Sequence, residues 1–232
     1  MARVPGVLDP PTPAAGELAD DERLHLHVAD LAAGSTYPWL TAIVVPRPIA
    51  WVSTVSADGV VNLAPHSFFT VASAEPPVVS FTSIGTKDSL RNVRATGQFV
   101  VNFAHRRLAE QINATSASVP PEVDELAMAG LTPHDSAVVA VPRVAQCAVA
   151  IECVAEGEHT FGRSTVVFGR VVHLSVDRRF LAEDGLPDVR LLDPAARLGR
   201  AQWGALGEVF DLHRPVRSRG GAPYGERPGR SV

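Results

Sequence analysis

The sequence predicts a mainly β fold, an antiparallel barrel carrying a few peripheral helices. Short β-branched runs recur between turn signals through the middle of the chain. Helical patches are few and short, and no regular strand–helix alternation supports a doubly wound sheet. With 232 residues, the chain is long enough to bury roughly 70% of its unfolded surface without a disulfide or metal staple.

The elements follow in order. Residues 1–22 hold four prolines and few large apolar residues, and read as a flexible arm. The β-branched runs 41–45 and 50–55 read as strands separated by Pro46-Arg47-Pro48. Ala57-Asp58-Gly59 is a turn signal, which makes 50–55 and 59–63 a hairpin. Strand 78–82 follows Pro76-Pro77, and strand 99–103 follows Gly97. The longest strand candidates are 145–154 and 164–176. In the second, Val166, Phe168, Val172, Leu174 and Val176 share one face, which Arg170 interrupts. A short helix is expected from Lys87 to Arg94, ending near Gly97. Residues 105–113 are amphipathic, and 121–130 open with Pro and close with Gly, as helices do. Residues 214–232, rich in Arg, Gly and Pro, read as a disordered tail. No linker or repeat divides the rest, so 23–213 is expected to be one domain.

Charge and cysteine content exclude several classes. The net charge of -4 gives no global positive field for nucleic acid or an anionic membrane. No apolar run reaches the ~18 residues that span a bilayer, and the start lacks the apolar segment of a secretory signal. A cytoplasmic protein is expected. Cys147 and Cys153 fall on one strand face with Val149 and Ile151. Within one strand they would stand roughly 20 Å apart, too far for a disulfide, so buried reduced thiols are expected.

No P-loop, H-E-x-x-H, C-x-x-C pair or G-x-S-x-G elbow occurs. The histidines are scattered, with His25 and His27 on an expected solvated edge, and no metal site is expected. Asn113-Ala114-Thr115 fits a glycosylation sequon, idle without a secretory signal. Lys87 is the one lysine among 21 basic residues, which points to a role for a compact ammonium. Residues 46–103 stand out. Hydroxyl residues sit at strand ends (Ser53, Thr54, Ser67, Thr70, Thr82, Ser83, Thr86), with Trp51, Phe68 and Phe69 among them. Lys87 and Ser89 open a helix whose free N–H groups favour an anion. This mix suits a flat aromatic ligand carrying a phosphate. The plainer reading is that the hydroxyls cap strands and helices while Phe68 and Phe69 pack in the core.

The segment closely resembles the flavin reductase-like proteins with the FMN-binding split barrel. The resemblance rests on P-R-P-I-A-W-V-S-T (46–54), N-L-A-P-H-S-F-F (62–69), P-P-V-V-S-F (76–81), K-D-S (87–89) and F-V-V-N-F (99–103). A-G-L-T-P (129–133), the strand 142–153 and G-E-H-T-F (157–161) extend it, so that it covers about 37–215. It implies a six-stranded antiparallel Greek-key barrel with peripheral helices, usually a homodimer with flavin near the subunit interface. Carried over, Trp51, Val52, Ser53 and Thr54 would border the isoalloxazine. Asn62, Ala64, Pro65, His66, Ser67, Phe68 and Phe69 would wrap the ring and ribityl chain, largely through backbone groups. Ser83, Lys87 and Ser89 would sit near the phosphate. Arg200 and Trp203 occupy a region where relatives place flavin contacts, and His159 would lie where a nicotinamide stacks. Ser89 stands where many relatives have Thr, which keeps the hydroxyl.

The implied cofactor is FMN, with FAD as the alternative, and NAD(P)H is the implied co-substrate. The implied activity is an NAD(P)H-dependent flavin reductase that passes hydride from nicotinamide C4 to flavin N5. The cofactor carries that chemistry and no side chain is expected to be catalytic. A monooxygenase using the reduced flavin is the implied partner. The competing readings are an FMN-binding electron-transfer protein without its own NAD(P)H site, and a flavin-dependent oxidase of another small molecule.

Overall fold

The computed structural model describes residues 23–213; the expected arm (1–22) and tail (214–232) lie outside the described residues. The first long element is helix α1 (Thr36–Ile43). It overturns the strand expected over 41–45. The Thr41 hydroxyl turns back onto the Tyr37 carbonyl, at 3.0 Å. Buried Arg47 donates to the Thr41 and Val44 carbonyls at the helix end and to Leu198 O, which fastens the helix to the far end of the chain. The apolar residues of this segment face outward instead of into a sheet. Tyr37, Trp39, Leu40, Ile43, Val44 and Val45 are all exposed.

After the two-residue β1 (Arg47–Pro48) come β2 (Ala50–Val55), β3 (Val61–His66), β4 (Phe69–Ser73) and β5 (Val78–Ile84). Helix α2 (Asp88–Thr96) ends at Gly97, whose φ of 70° is the left-handed stop that glycine tolerates. Then follow β6 (Gln98–Phe103), α3 (Ala109–Ala114), α4 (Glu125–Met128), β7 (Pro133–His134) and β8 (Arg143–Val144). The long hairpin β9 (Val149–Phe161) and β10 (Ser164–Val176) comes next, and then α5 (Val189–Leu192), β11 (Ala196–Arg197) and β12 (Trp203–Gly204).

Seven segments form one antiparallel sheet in the order β3-β2-β6-β9-β10-β5-β4. Only Ser67 and Phe68 separate β3 from β4. The run 61–73 therefore pairs with β2 along its first half and with β5 along its second. Its two halves lie at opposite edges of the sheet, so this one run closes the sheet into a six-stranded barrel. The only crossover within the barrel is β5 to β6, through α2, which gives the Greek-key order.

The interior of β10 is the reverse of the face expected. Thr165, Val167 and Gly169 point inward and Leu174 is exposed. The period of two holds from Thr165 to Val171, but the inner face carries the smaller residues Thr165 and Gly169 and the outer face the larger Val166 and Phe168; the first register shift places its extra residue, Glu156, in β9. Gly169 faces the Phe99 ring so closely that an added Cβ would stand 2.1 Å from its edge. Arg170, which interrupted the expected face, is exposed and paired with Glu156 at 2.9 Å. The expected helix 121–130 shrinks to α4, because Asp124 caps it by accepting from Ala127 N at 2.9 Å. Cys147 and Cys153 are free and buried; Cys147 precedes β9 and Cys153 lies within it.

Candidate functional site

The barrel, α2 and the loop after α3 enclose a cleft of about 320 Å³. β3 lends Asn62, Ala64, Pro65 and His66, and the break in the closing strand lends Ser67 and Phe68. The end of β5 and the start of α2 add Thr82, Ile84, Thr86, Lys87 and Ser89. Across from them stand Thr115, Ser116, Ala117 and Ser118.

One wall is apolar and aromatic. Tyr37 from α1 and Phe68 stand with ring centroids 6.3 Å apart, and the Arg47 guanidinium lies 6.0 Å from the Phe68 ring. The opposite end is polar and positive. Lys87 occupies the N-cap of α2, and no side chain caps that helix. The first-turn N–H groups of a helix have no intrahelical acceptor, so this end offers donors and a partial positive charge to an anion. Thr86, Ser116 and Ser118 line the same cleft, and the Ser116 hydroxyl donates to Asn113 O at 2.6 Å.

Beneath the cleft lies a layer of buried polar side chains. His66 is 7% exposed and Ser89 1%. His66 Nδ1 faces the Thr82 carbonyl at 3.2 Å and Nε2 faces Ser89 Oγ at 3.2 Å. Burial pulls the His66 pKa down to about 4, so the ring is neutral at physiological pH. Its Nδ1–H donates to Thr82 O, which leaves Nε2 as an acceptor. Glu125 from α4, 6% exposed, accepts from Leu63 N at 2.8 Å and reaches the cleft wall. Burial, with Asp124 adding to it, pushes its carboxyl up to about 6.

Of the sequence-predicted residues, the structure brings Asn62, Ala64, Pro65, His66, Ser67, Phe68, Lys87 and Ser89 together on the cleft. Trp51, Val52, Ser53 and Thr54 are wholly buried in β2 and lie behind it. Three of them brace it or its surroundings. The Trp51 indole donates to Thr115 Oγ1 at 2.9 Å, Ser53 Oγ donates to Pro142 O at 2.7 Å, and Asn92 Nδ2 donates to Thr54 Oγ1 at 3.1 Å. Phe69 lines a separate apolar hollow with Val101, Phe103 and Ile151. Ser83 is buried and spends its hydroxyl on Gly85 O. Arg200 is exposed with φ 55°, and Trp203 on β12 stacks under Arg197 at 4.9 Å; neither lines the cleft. His159 stands exposed on the hairpin, edge-on to Phe161 at 4.4 Å, away from the cleft wall. Sequence reasoning missed Tyr37, the 115–118 loop and Glu125. The loop carried a signal in its run of small hydroxyl residues, T-S-A-S.

The model of the flavin reductase like domain matches residues 43–189. The chain belongs to the flavin reductase-like family. An uncharacterised protein of Bacillus subtilis, YwrF, is 38% identical to this flavin reductase-like chain over 204 residues, 83% of this chain and 100% of that protein. Nitrilotriacetate monooxygenase component B from Bacillus cereus superposes with a TM-score of 0.77 at 32% identity, covering 82% of this chain and 98% of its own. The 2-nitrobenzoate 2-nitroreductase of Pseudomonas fluorescens gives a TM-score of 0.77 at 27% identity, with 85% and 100% covered. The barrel is the split barrel of flavin reductase-like structures, and membership makes the chain a flavin-binding oxidoreductase. Among the described residues no helix is long and apolar enough to cross a membrane, and no group of His, Cys, Asp and Glu could hold a metal ion.

Proposed function

We propose that the protein binds FMN in this cleft and reduces it with NAD(P)H, in the cytoplasm, as a flavin reductase that can serve a monooxygenase partner. The carrying observation is the pairing of an uncapped helix start and Lys87 at one end of the cleft with the Tyr37–Phe68 wall at the other. This polarity suits a phosphate at one end and a flat ring at the other. Lys87, the α2 N–H groups and the hydroxyls of Thr86 and Ser118 would hold the phosphate. Phe68, Pro65 and Tyr37 would enclose the ring and keep water from one side of it. Bound FMN supplies the hydride-accepting chemistry. The protein's part is then to orient and bury. Stopped-flow mixing of the purified protein and FMN with NADH or NADPH tests the reading. Flavin bleaching on the timescale of turnover supports it. Tight flavin binding with the dinucleotide left unoxidised would leave the electron-transfer reading in its place.

A homodimer belongs to the same proposal. The exposed apolar face of α1 adjoins the cleft through Tyr37, and a second copy there would remove it from water. An interface of about 1,200 Å² or more is expected. Sedimentation as a single-chain species that still binds FMN tightly would rule this out. The exposed His159–Phe161 pair offers a stacking surface for a nicotinamide. His159→Ala is expected to raise the KM for NAD(P)H with FMN affinity nearly unchanged, and steady-state kinetics with a melting curve check it.

A further inference from the structure

Under the cleft, four side chains from α4, β3 and α2 form a continuous line: Glu125, Asn62, Ser89 and His66. The Asn62 amide fits this line in two orientations. In one, Nδ2 donates to Ser89 Oγ at 3.1 Å and to Thr54 Oγ1 at 3.2 Å. Oδ1 then faces a Glu125 carboxyl oxygen, an oxygen pair that requires a proton between them. In the other, Nδ2 donates to Glu125 Oε2 at 2.9 Å, and Oδ1 accepts from Ser89 Oγ at 3.1 Å or Thr54 Oγ1 at 3.2 Å. The second arrangement suits an ionised Glu125.

Ser89 has a single proton to give. With Glu125 protonated, Asn62 donates to Ser89, and the Ser89 hydroxyl points at His66 Nε2, 3.2 Å away. With Glu125 ionised, Asn62 turns its oxygen to Ser89 and competes with His66 for the same proton. Every member of the line is buried, so an unmatched donor or acceptor is costly and the orientations change together.

We propose that Glu125 is a positioning residue: its proton decides which way the Asn62 amide points, and through Asn62 it directs the Ser89 hydroxyl at the start of α2, beside the anion-binding end of the cleft. Its ligand, the FMN phosphate, rests on the function proposed above; the side-chain line does not. The charged groups around Glu125 define the setting. Asp124 neighbours it on its own element, and Lys87, Asp88 and Arg91 face it from α2, with Asp88 and Arg91 paired to each other. Neutral His66 faces it from β3, and Glu122 and Asp58 line the adjoining hollow. Ionised Glu125 thus adds a negative charge to a wall whose one unpaired cation on the cleft is Lys87 among these groups. The pKa of about 6 places the change within reach of cellular pH.

The test begins without ligand. In protein carrying ¹⁵N-histidine, the His66 Nε2 resonance is expected to move with a midpoint near pH 6 while the ring stays neutral. It should stay flat from pH 5 to 8 in Glu125→Gln, whose amide reproduces the protonated carboxyl, and in Ser89→Ala, which cuts the line while Glu125 still titrates. Identical curves in wild type and Glu125→Gln overturn the proposal. FMN titrations form the second arm, with the ionisation of FMN itself cancelling in the comparison. Glu125→Gln should bind FMN about as tightly as wild type at pH 5 and about three- to tenfold more tightly at pH 8. Equal affinities at both pH values overturn the link to the ligand. Normal histidine behaviour with no FMN binding at any pH removes the flavin reading and leaves the line intact.

Discussion

Two glutamates of this barrel are almost equally hidden from water, and their carboxyl pKa values move in opposite directions. Glu152 on β9 is 0% exposed and Glu125 on α4 is 6% exposed. Burial pushes both carboxyls up. At Glu152 the push is outweighed by the N–H groups of Ala137, Val138 and Val139, which donate at 2.8, 2.7 and 3.1 Å, and by His173 beside it, so its pKa lies below the usual carboxylate range. Glu125 has one backbone donor, Leu63, and Asp124 works against it, so its pKa rises to about 6. Backbone donors set the sign. Glu152 pins the loop before β8 as an anion at neutral pH, whereas Glu125 keeps a proton within reach beside the cleft.

The largest test of this contrast is Glu152→Ala, which takes the acceptor from the N–H groups of Ala137, Val138 and buried Val139 and empties a fully buried site. It should cost about 3 kcal/mol or more, read from a denaturant melt. The pH dependence has a definite sign. Because the folded pKa is depressed, the stabilisation is full above the unfolded value and is lost as pH falls through the folded one. Glu152→Gln should therefore differ from wild type most at neutral pH and least in acid. Next in size is Lys87→Ala, expected to weaken FMN binding by about 1–3 kcal/mol while barely changing riboflavin affinity. Equal losses for both flavins, by fluorescence titration, would take Lys87 away from the phosphate.

The sharpest contrast comes from treating Glu125 in the same way. Its folded pKa is raised, so ionisation destabilises the fold as pH climbs from about 4 to about 6, and the penalty persists above that. Glu125→Gln should stabilise the protein by about 1–2 kcal/mol at pH 8 and by almost nothing at pH 4. Loss of stability at pH 8 would mean that the two glutamates are alike after all. The smallest effect is expected from Asp124→Asn. It keeps the N-cap and removes a neighbouring charge, so stability should change by about a few tenths of a kcal/mol while the Glu125 titration midpoint moves down.

The difference between the glutamates was not legible in the sequence, and the reason is general. β2 and β10 were readable to the residue, because Ala50–Val55 and Ser164–Val176 are long β-branched runs between turn signals. The half of the cleft carried by β3 and α2 was readable from local motifs. Reading failed where a distant partner decides. The run 41–45 has strand propensity, yet Arg47 and Leu198 O secure it as the end of a helix. The inner face of β10 was hidden because Thr165 and Gly169 on it are smaller and less apolar than Val166 and Phe168 on the outer one. Thr115 gains its place from the Trp51 indole, 64 positions away, and Glu125 accepts from Leu63 N, 62 positions away. Spacing along the chain carries no trace of either.

The closing strand has a consequence in time. Tyr37 apart, every residue of the cleft falls between Asn62 and Glu125. Its pairings β2–β3 and β4–β5 join neighbours in the chain, whereas β10 must return some eighty positions to meet β5. Short loops close at lower entropic cost than long ones. The cleft-bearing half is thus expected to gain amide protection during refolding before the β5–β10 seam does, with the seam as the late, rate-limiting zip. Pulse-labelled hydrogen exchange reads that order directly, and protection of the seam amides Gly85 and Val171, which donate to Arg163 O and Pro77 O, at the same time as Asn62 and Leu63 would show that the barrel instead forms in one step.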